Sequence, residues 1–222
     1  MLAPETLLDA AICVVTRDGF AAMTLDAVAK EAGVSKGGLT HHFATKDALI
    51  TAMLDHFAQR LLRELDRVAA DDPQVKGRRA RAMMEVAFPR LNEAGLRPTT
   101  SRPATNRSGT KSRGAAKKLS AVETSSEVRQ LFVAAIAASV VNPELLQPLR
   151  EHAGQIRERM LEQSSDGLWQ VVTWLALDGL LLWQMLGLLP QGDPLEERML
   201  RLLHKLSLRP PAAALEREVA HG

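Results

Sequence analysis

Apolar positions in the first seventy residues recur at intervals of three and four, the spacing of helices that each bury one face. In PETLLDAAICVVTRDGF the stripe is Leu8, Ala11, Ile12 and Val15, with Pro4 near the start, where a missing N–H does no harm, and Gly19 at the end. Leu25, Val28, Ala29 and Ala32 make a shorter stripe, which Thr24 can cap and Gly33 can stop. Phe20 is expected to pack beneath it. After a tight turn plugged by Val34, SKGGLTHHF reads as a second short helix with Ser35 as its cap. Thr45 can then cap a long amphipathic helix from Lys46 to about Ala70, carried by Leu49, Met53, Phe57, Leu61, Leu65 and Val68. Asp71-Asp72-Pro73 is its stop signal.

The same periodicity predicts a helix from about Gln74 to Ala94, kinked or broken near Phe88 by Pro89. Further helices are expected over Glu127 to Val141, from Asn142-Pro143 to about Gln163, and over 168–189, a stretch apolar nearly all round that Pro190 ends. A last amphipathic helix carries Leu195, Met199, Leu202, Leu203 and Leu206, and residues 209–222 read as a loose tail. No period-two run stands out, tyrosine is absent and aromatics are only 4%, which excludes aromatic-rich sandwiches and barrels. The expected class is all-α.

SKGGLTHHF places Gly37 and Gly38 inside a helix of about two turns, where each costs about 1 kcal/mol relative to alanine. Close approach of the backbone to another molecule would compensate, and a DNA major groove has the right width. An ordinary helical hairpin with a glycine-rich corner is the competing reading.

The pattern AxxAGVSKGGLxHHFxTKxxL, about twenty residues behind an N-terminal amphipathic helix, resembles the DNA-binding domain of the TetR/AcrR family of regulators. That likeness spans Leu8 to Leu54. A weaker one spans Asn142 to Pro190, where NPELLQPLREH and LALDGLLLWQMLGLLP are similar to the C-terminal domain of one branch of the family. The resemblance implies a three-helix, helix-turn-helix domain over residues 1–47 and a helical effector-binding and dimerisation domain over 48–208. It implies a ligand-responsive repressor, bound as a homodimer to an inverted-repeat operator in double-stranded DNA. By the family pattern Lys36, Gly37, Gly38 and Thr40 would meet base edges, although a bulkier residue usually stands at Thr40. Thr24, Ser35, His42 and Lys46 would contact phosphates. His41 is left open between the core and the surface. With no third ligand at suitable spacing, the His41-His42 pair is not expected to hold a metal.

Charge changes this picture in two places. Residues 1–50 carry four Lys/Arg against six Asp/Glu, unusual for a nucleic-acid-binding unit, yet Ser35 to Lys46 holds two lysines, two histidines and no acid. Residues 97–126 hold seven basic residues, one acid and almost no large apolar side chain, a composition that cannot offset the entropy of ordering. They read as a disordered basic linker, with a nonspecific phosphate-binding arm and a segment displaced from its reading frame as alternatives. The single cysteine, Cys13, excludes an intrachain disulfide and reads as a small buried apolar residue.

Residues 168–189 are long enough to cross a bilayer, but Asp178 at the centre makes that expensive, so no membrane span is expected. The last two helices instead suggest a four-helix interface between two copies. No export signal is read at the N-terminus, and the cytoplasm is the expected compartment. From about residue 70 onward no catalytic motif appears, so neither an enzyme nor a cofactor is expected. The family resemblance implies a cavity for a hydrophobic small molecule among the middle helices, with Met84, Phe88, Phe132, His152, Met160, Trp169 and Trp174 as candidates to line it. Plain core is the alternative for each. The rival function is a helical dimeric interaction protein whose helix-turn-helix no longer binds DNA.

Overall fold

The computed structural model describes residues 3–88, 121–162 and 167–208. The chain is all-α, as the periodicity predicts, with nine helices and two short 3-10 turns among the described residues. The helices are α1 (Pro4–Asp18), α2 (Leu25–Glu31), α3 (Lys36–His42), α4 (Lys46–Ala70), α5 (Arg78–Ala87), α6 (Ala121–Val141), α7 (Gln147–Glu162), α8 (Gly167–Met185) and α9 (Pro194–Leu208). The 3-10 turns are Phe20–Ala22 and Pro143–Leu146.

The expected caps form. Side-chain oxygens of Thr24, Ser35 and Thr45 accept from the backbone N–H groups of Ala27, Gly38 and Ala48, each at 3.1 Å. Gly33, at φ +68, takes the left-handed conformation after α2 that side chains rarely adopt. The stripe Leu8, Ala11, Ile12 and Val15 is buried together with Val28, Leu39, Leu49 and Met53. This cluster continues into Leu131, Ala134, Ala138 and Leu145, so the N-terminal helices pack directly on α6. Phe20 lies partly buried against the same cluster.

A second core gathers Leu65, Met83, Met84, Phe88, Leu177, Leu181 and Leu200. Because α4 enters both cores, it is the strut its length predicts. Polar contacts reinforce that role: Asp9 of α1 accepts from His56 and Arg60 of α4, each at 3.0 Å, and Arg60 also reaches Glu127 of α6 at 3.3 Å. At the far end Arg81 is buried and donates to Asp72 at 2.7 Å, to the Gln74 carbonyl at 2.6 Å and to the Ser207 carbonyl at 3.0 Å. Those bonds fasten α5 to the end of α9.

Four expectations are corrected. The helix placed at about Gln74 begins at Arg78, because Gly77 at φ +69 breaks the backbone and sits so close to Ser207 that a Cβ would lie 2.2 Å from its carbonyl oxygen. α6 starts at Ala121, so the last six residues of the stretch read as disordered linker are helical, and residues 97–120 lie outside the described residues, as does the 209–222 tail. α8 ends at Met185, before Pro190: Gly187 turns left-handed, its N–H bonds the Gln184 carbonyl and the next N–H bonds that of Trp183. Cys13 is exposed, since at 100° per residue it falls on the face opposite the Leu8–Ile12–Val15 stripe. The predicted break near Phe88 is present, with α5 ending at Ala87 and Phe88 leaving the helical conformation ahead of the proline. Among the described residues no helix is long and apolar enough to cross a membrane.

Candidate nucleic-acid interface and interior cavity

Leu39 is fully buried and anchors α3 in the first core, which turns the opposite side of that short helix outward. Lys36, Gly37 and Gly38 are exposed and Thr40 is half-buried, its hydroxyl donating to the Gly37 carbonyl at 3.2 Å. His41 is exposed, which settles it on the surface, while His42 is half-buried with its ring 6.4 Å from that of Phe43. Thr24, Ser35 and Lys46 are exposed on the flanking helix starts. All eight residues singled out in the sequence therefore lie at or near the surface of one helix-turn-helix unit.

The two lysines already have partners. Lys36 Nζ lies 2.9 Å from Asp26 Oδ2, an exposed ion pair of about 0–1 kcal/mol that opens at little expense. Lys46 Nζ sits 5.8 Å from the centre of the Phe20 ring. The hydroxyls of Thr24 and Ser35 use a lone pair in capping and retain their hydrogens, so each can still donate to a phosphate oxygen.

The glycines are the informative pair. Neither Gly37 nor Gly38 has positive φ. A Cβ added at Gly37 would meet only Ser35 Oγ, at 3.9 Å, and one at Gly38 would come no nearer than 3.5 Å to any atom. Nothing within the fold requires glycine at either position.

A cavity of about 350 Å³ lies among α4, α6, α7 and α8. Leu61, Phe132, His152, Ile156, Trp174 and Asp178 are on its wall, which is predominantly apolar. A smaller space of about 180 Å³ shares Ile156, Trp174 and Asp178 and adds Arg157 and Met160. Of the seven sequence candidates, Phe132, His152 and Trp174 line the larger cavity and Met160 lines the smaller. Met84 and Phe88 instead fill the second core, and Trp169 donates its indole N–H to the Leu206 carbonyl at 3.3 Å. Those three were chosen for size, and size cannot separate a wall from a packed interior.

Two carboxylates, one on the cavity wall and one bonded to a wall residue, escaped the sequence reading as site candidates. Asp55 of α4 accepts from the His152 Nε2–H at 2.7 Å, while His152 Nδ1 is buried with no hydrogen-bond partner among the described residues. Asp178 is half-buried, and desolvation pushes its carboxyl up to about 6, opposed by a hydrogen bond from the Trp174 side chain. The signal for Asp178 was present as the one carboxylate within an apolar stretch.

Residues 7–53 match the family described as bacterial regulatory proteins, tetR family, and residues 114–208 match the tetracyclin repressor-like C-terminal domain, together more than half of the chain. The HTH-type transcriptional regulator BetI of Paraburkholderia xenovorans (strain LB400) is 35% identical over 73 residues, which are 32% of this chain and 37% of that regulator's length. A transcriptional regulator from Rhodococcus sp. Rha1 has a similar structure, with a TM-score of 0.63 and 23% identity, over 93% of this chain and 96% of that one. The multidrug binding protein EbrR complexed with ethidium gives a TM-score of 0.56 at 23% identity, over 90% of this chain and 96% of that one.

Proposed function

The chain belongs to the tetR family of bacterial transcriptional regulators, and from that premise we propose that it is a ligand-responsive repressor that binds an inverted-repeat operator as a homodimer. The observation that carries the DNA-binding part is the pair Gly37 and Gly38, which destabilise α3 and serve no need inside the fold. An external surface pressed against the backbone supplies the need. Residues 1–47 form the DNA-binding unit and 48–208 the effector and dimerisation unit. In this reading Lys36, Gly37, Gly38 and Thr40 face base edges, with Lys36 leaving Asp26 for guanine O6/N7. Thr24, Ser35, His42 and Lys46 hold phosphates and set the register.

Dimerisation is supported by apolar side chains left in water on the last two helices. Leu168, Val172, Leu175 and Trp183 lie along one side of α8, and Leu195, Met199 and Leu202 are exposed on α9. A second copy covering both stripes makes a four-helix interface with two-fold symmetry. Such a dimer sets two α3 helices roughly 34–36 Å apart, one turn of the duplex.

The cavity is the effector site of this proposal, and its apolar wall suits a small hydrophobic molecule. A ligand there works on α4 through its own wall residues and through the His152–Asp55 contact, and only three residues separate the end of α3 from the start of α4. It shifts DNA affinity only as far as it binds the two arrangements of the dimer unequally.

Selection of bound sequences from random duplex DNA by the full chain tests the reading. The expected product is a short inverted repeat, bound much more tightly than either half alone. Recovery of no enriched sequence, or equal binding of one half and the whole, would overturn it.

A further inference from the structure

Asp26 Oδ2 lies 2.9 Å from Lys36 Nζ, a bond that joins the first turn of α2 to the first turn of α3. Both side chains are more than half exposed, so the carboxylate stands on the same outward face as the lysine. Other acids of the N-terminal helices are engaged elsewhere: Asp18 and Glu31 bond Arg17, and Asp9 bonds His56 and Arg60 of α4. Asp26 is bonded instead to a residue assigned to a base edge, two positions after Thr24, which is assigned to a phosphate. An acid in the first turn of α2 favours the positive end of that helix, and any outward direction would serve that purpose.

A carboxylate in this place opposes DNA binding in general, because the backbone beside it carries a negative charge for about every 1.7 Å of axis. When Lys36 leaves for guanine O6/N7, Asp26 also loses its cation. The carboxylate then needs a donor, and in the major groove the base edges offer two, the N4 amine of cytosine and the N6 amine of adenine. The adenine amine lies between two acceptors, its own N7 and O4 of the paired thymine, and both repel a carboxylate oxygen. The cytosine amine has an acceptor on one side only, guanine O6. Cytosine is therefore the base that relieves Asp26, and the other bases leave it unpaired among phosphates.

Building on the assignment of Lys36 to a base edge, we infer that Asp26 is a second specificity residue. It accepts from the N4 amine of a cytosine in a base pair neighbouring the guanine met by Lys36, and it penalises duplexes with another base there. The discrimination comes as much from repulsion of wrong sequences as from attraction to the right one. A step of about 3.4 Å between base pairs is within reach of two side-chain heads that start in contact.

The test measures binding of the native chain, Asp26→Ala and Asp26→Asn by fluorescence anisotropy at one salt concentration. The duplexes are the selected operator and a set in which each half-site position is changed, in both halves, to the other three base pairs. The native chain should prefer cytosine at one position by about tenfold. In Asp26→Ala that preference should fall to within about threefold, because the mismatched duplexes bind more tightly. The guanine preference that depends on Lys36 should remain, which also shows that the variant is folded and docked. In Asp26→Asn the preference at the same position should move toward adenine, whose N7 and N6 match an amide that both accepts and donates. Tighter binding of every duplex by Asp26→Ala, with the ranking of bases unchanged at all positions, would reduce Asp26 to a general charge and overturn the inference. Unchanged affinities would make the pair with Lys36 a surface contact only and overturn it equally. A native chain that ranks no duplex above another removes the DNA-reading premise itself, and the inference falls with it.

Discussion

His152 Nε2 stands 2.7 Å from Asp55 Oδ1, joining a wall of the interior cavity to α4, the helix that follows α3. Asp55 lies nine residues into α4, about 14 Å from the start of that helix at 1.5 Å per residue. The contact is partly exposed, with side-chain exposures of 17% for His152 and 41% for Asp55, so its worth in stability is modest. A double-mutant cycle on Asp55→Ala and His152→Ala, read by denaturant unfolding, should give a coupling of about 0.5–1 kcal/mol that weakens with added salt. Zero coupling would mean that apolar contacts alone hold α7 to α4.

Gly37→Ala separates folding from binding. Since the fold has room for the methyl group, the variant should be more stable by up to about 1 kcal/mol. Its affinity for the selected operator should nevertheless drop by about tenfold or more, because the new Cβ meets the groove. Thermal unfolding and fluorescence anisotropy on one preparation decide the matter. A stabilised variant with full affinity would remove the reason for the glycine.

Lys36→Ala and Lys46→Ala should fail in different ways. Loss of Lys36 relaxes discrimination at one base position, by about 1–3 kcal/mol. Loss of Lys46 weakens all sequences alike and makes the salt dependence shallower by about one unit in log–log slope. Binding isotherms on matched and mismatched duplexes across a salt series distinguish them, and identical behaviour would show the roles misassigned.

Asp178 predicts a pH dependence. Burial raises its carboxyl to about 6, so between about pH 4 and pH 6 the folded chain keeps a proton that the unfolded chain has released. Its contribution to stability is therefore lost as pH rises through that window and does not return above it. Asp178→Asn, whose amide oxygen can still accept from Trp174, should be more stable than the native chain at neutral pH by up to about 2 kcal/mol and equal to it near pH 4. Equal stability of the two chains at both pH values would show that the carboxylate is well solvated.

Trp183 is 52% exposed on the outer side of α8. Trp183→Glu should leave helicity unchanged and convert the dimer to monomers in sedimentation velocity, with loss of the preference for a full inverted repeat. A variant that stays dimeric would move the interface elsewhere.

What the order of residues determined by itself was local. Caps at Thr24, Ser35 and Thr45, the stop at Gly33 and the buried stripe of α1 depend on contacts within a few positions or on a fixed 100° step, so they were legible along with the all-α class. Even the outward face of Cys13 was written in that step, although the apolar run around it concealed the fact. The helix start at Arg78 was not legible, because it goes with the close approach of Gly77 to Ser207, 130 positions away. The cavity belongs to the same class. Phe132, His152 and Trp174 reach it while Met84 and Phe88 do not, although all five are large residues in or beside helices, because a wall is made by the helices opposite. Only tertiary packing brought Asp55 to His152 and left Asp178 at the edge of an apolar chamber, since burial and charge balance depend on neighbours that chain order does not place.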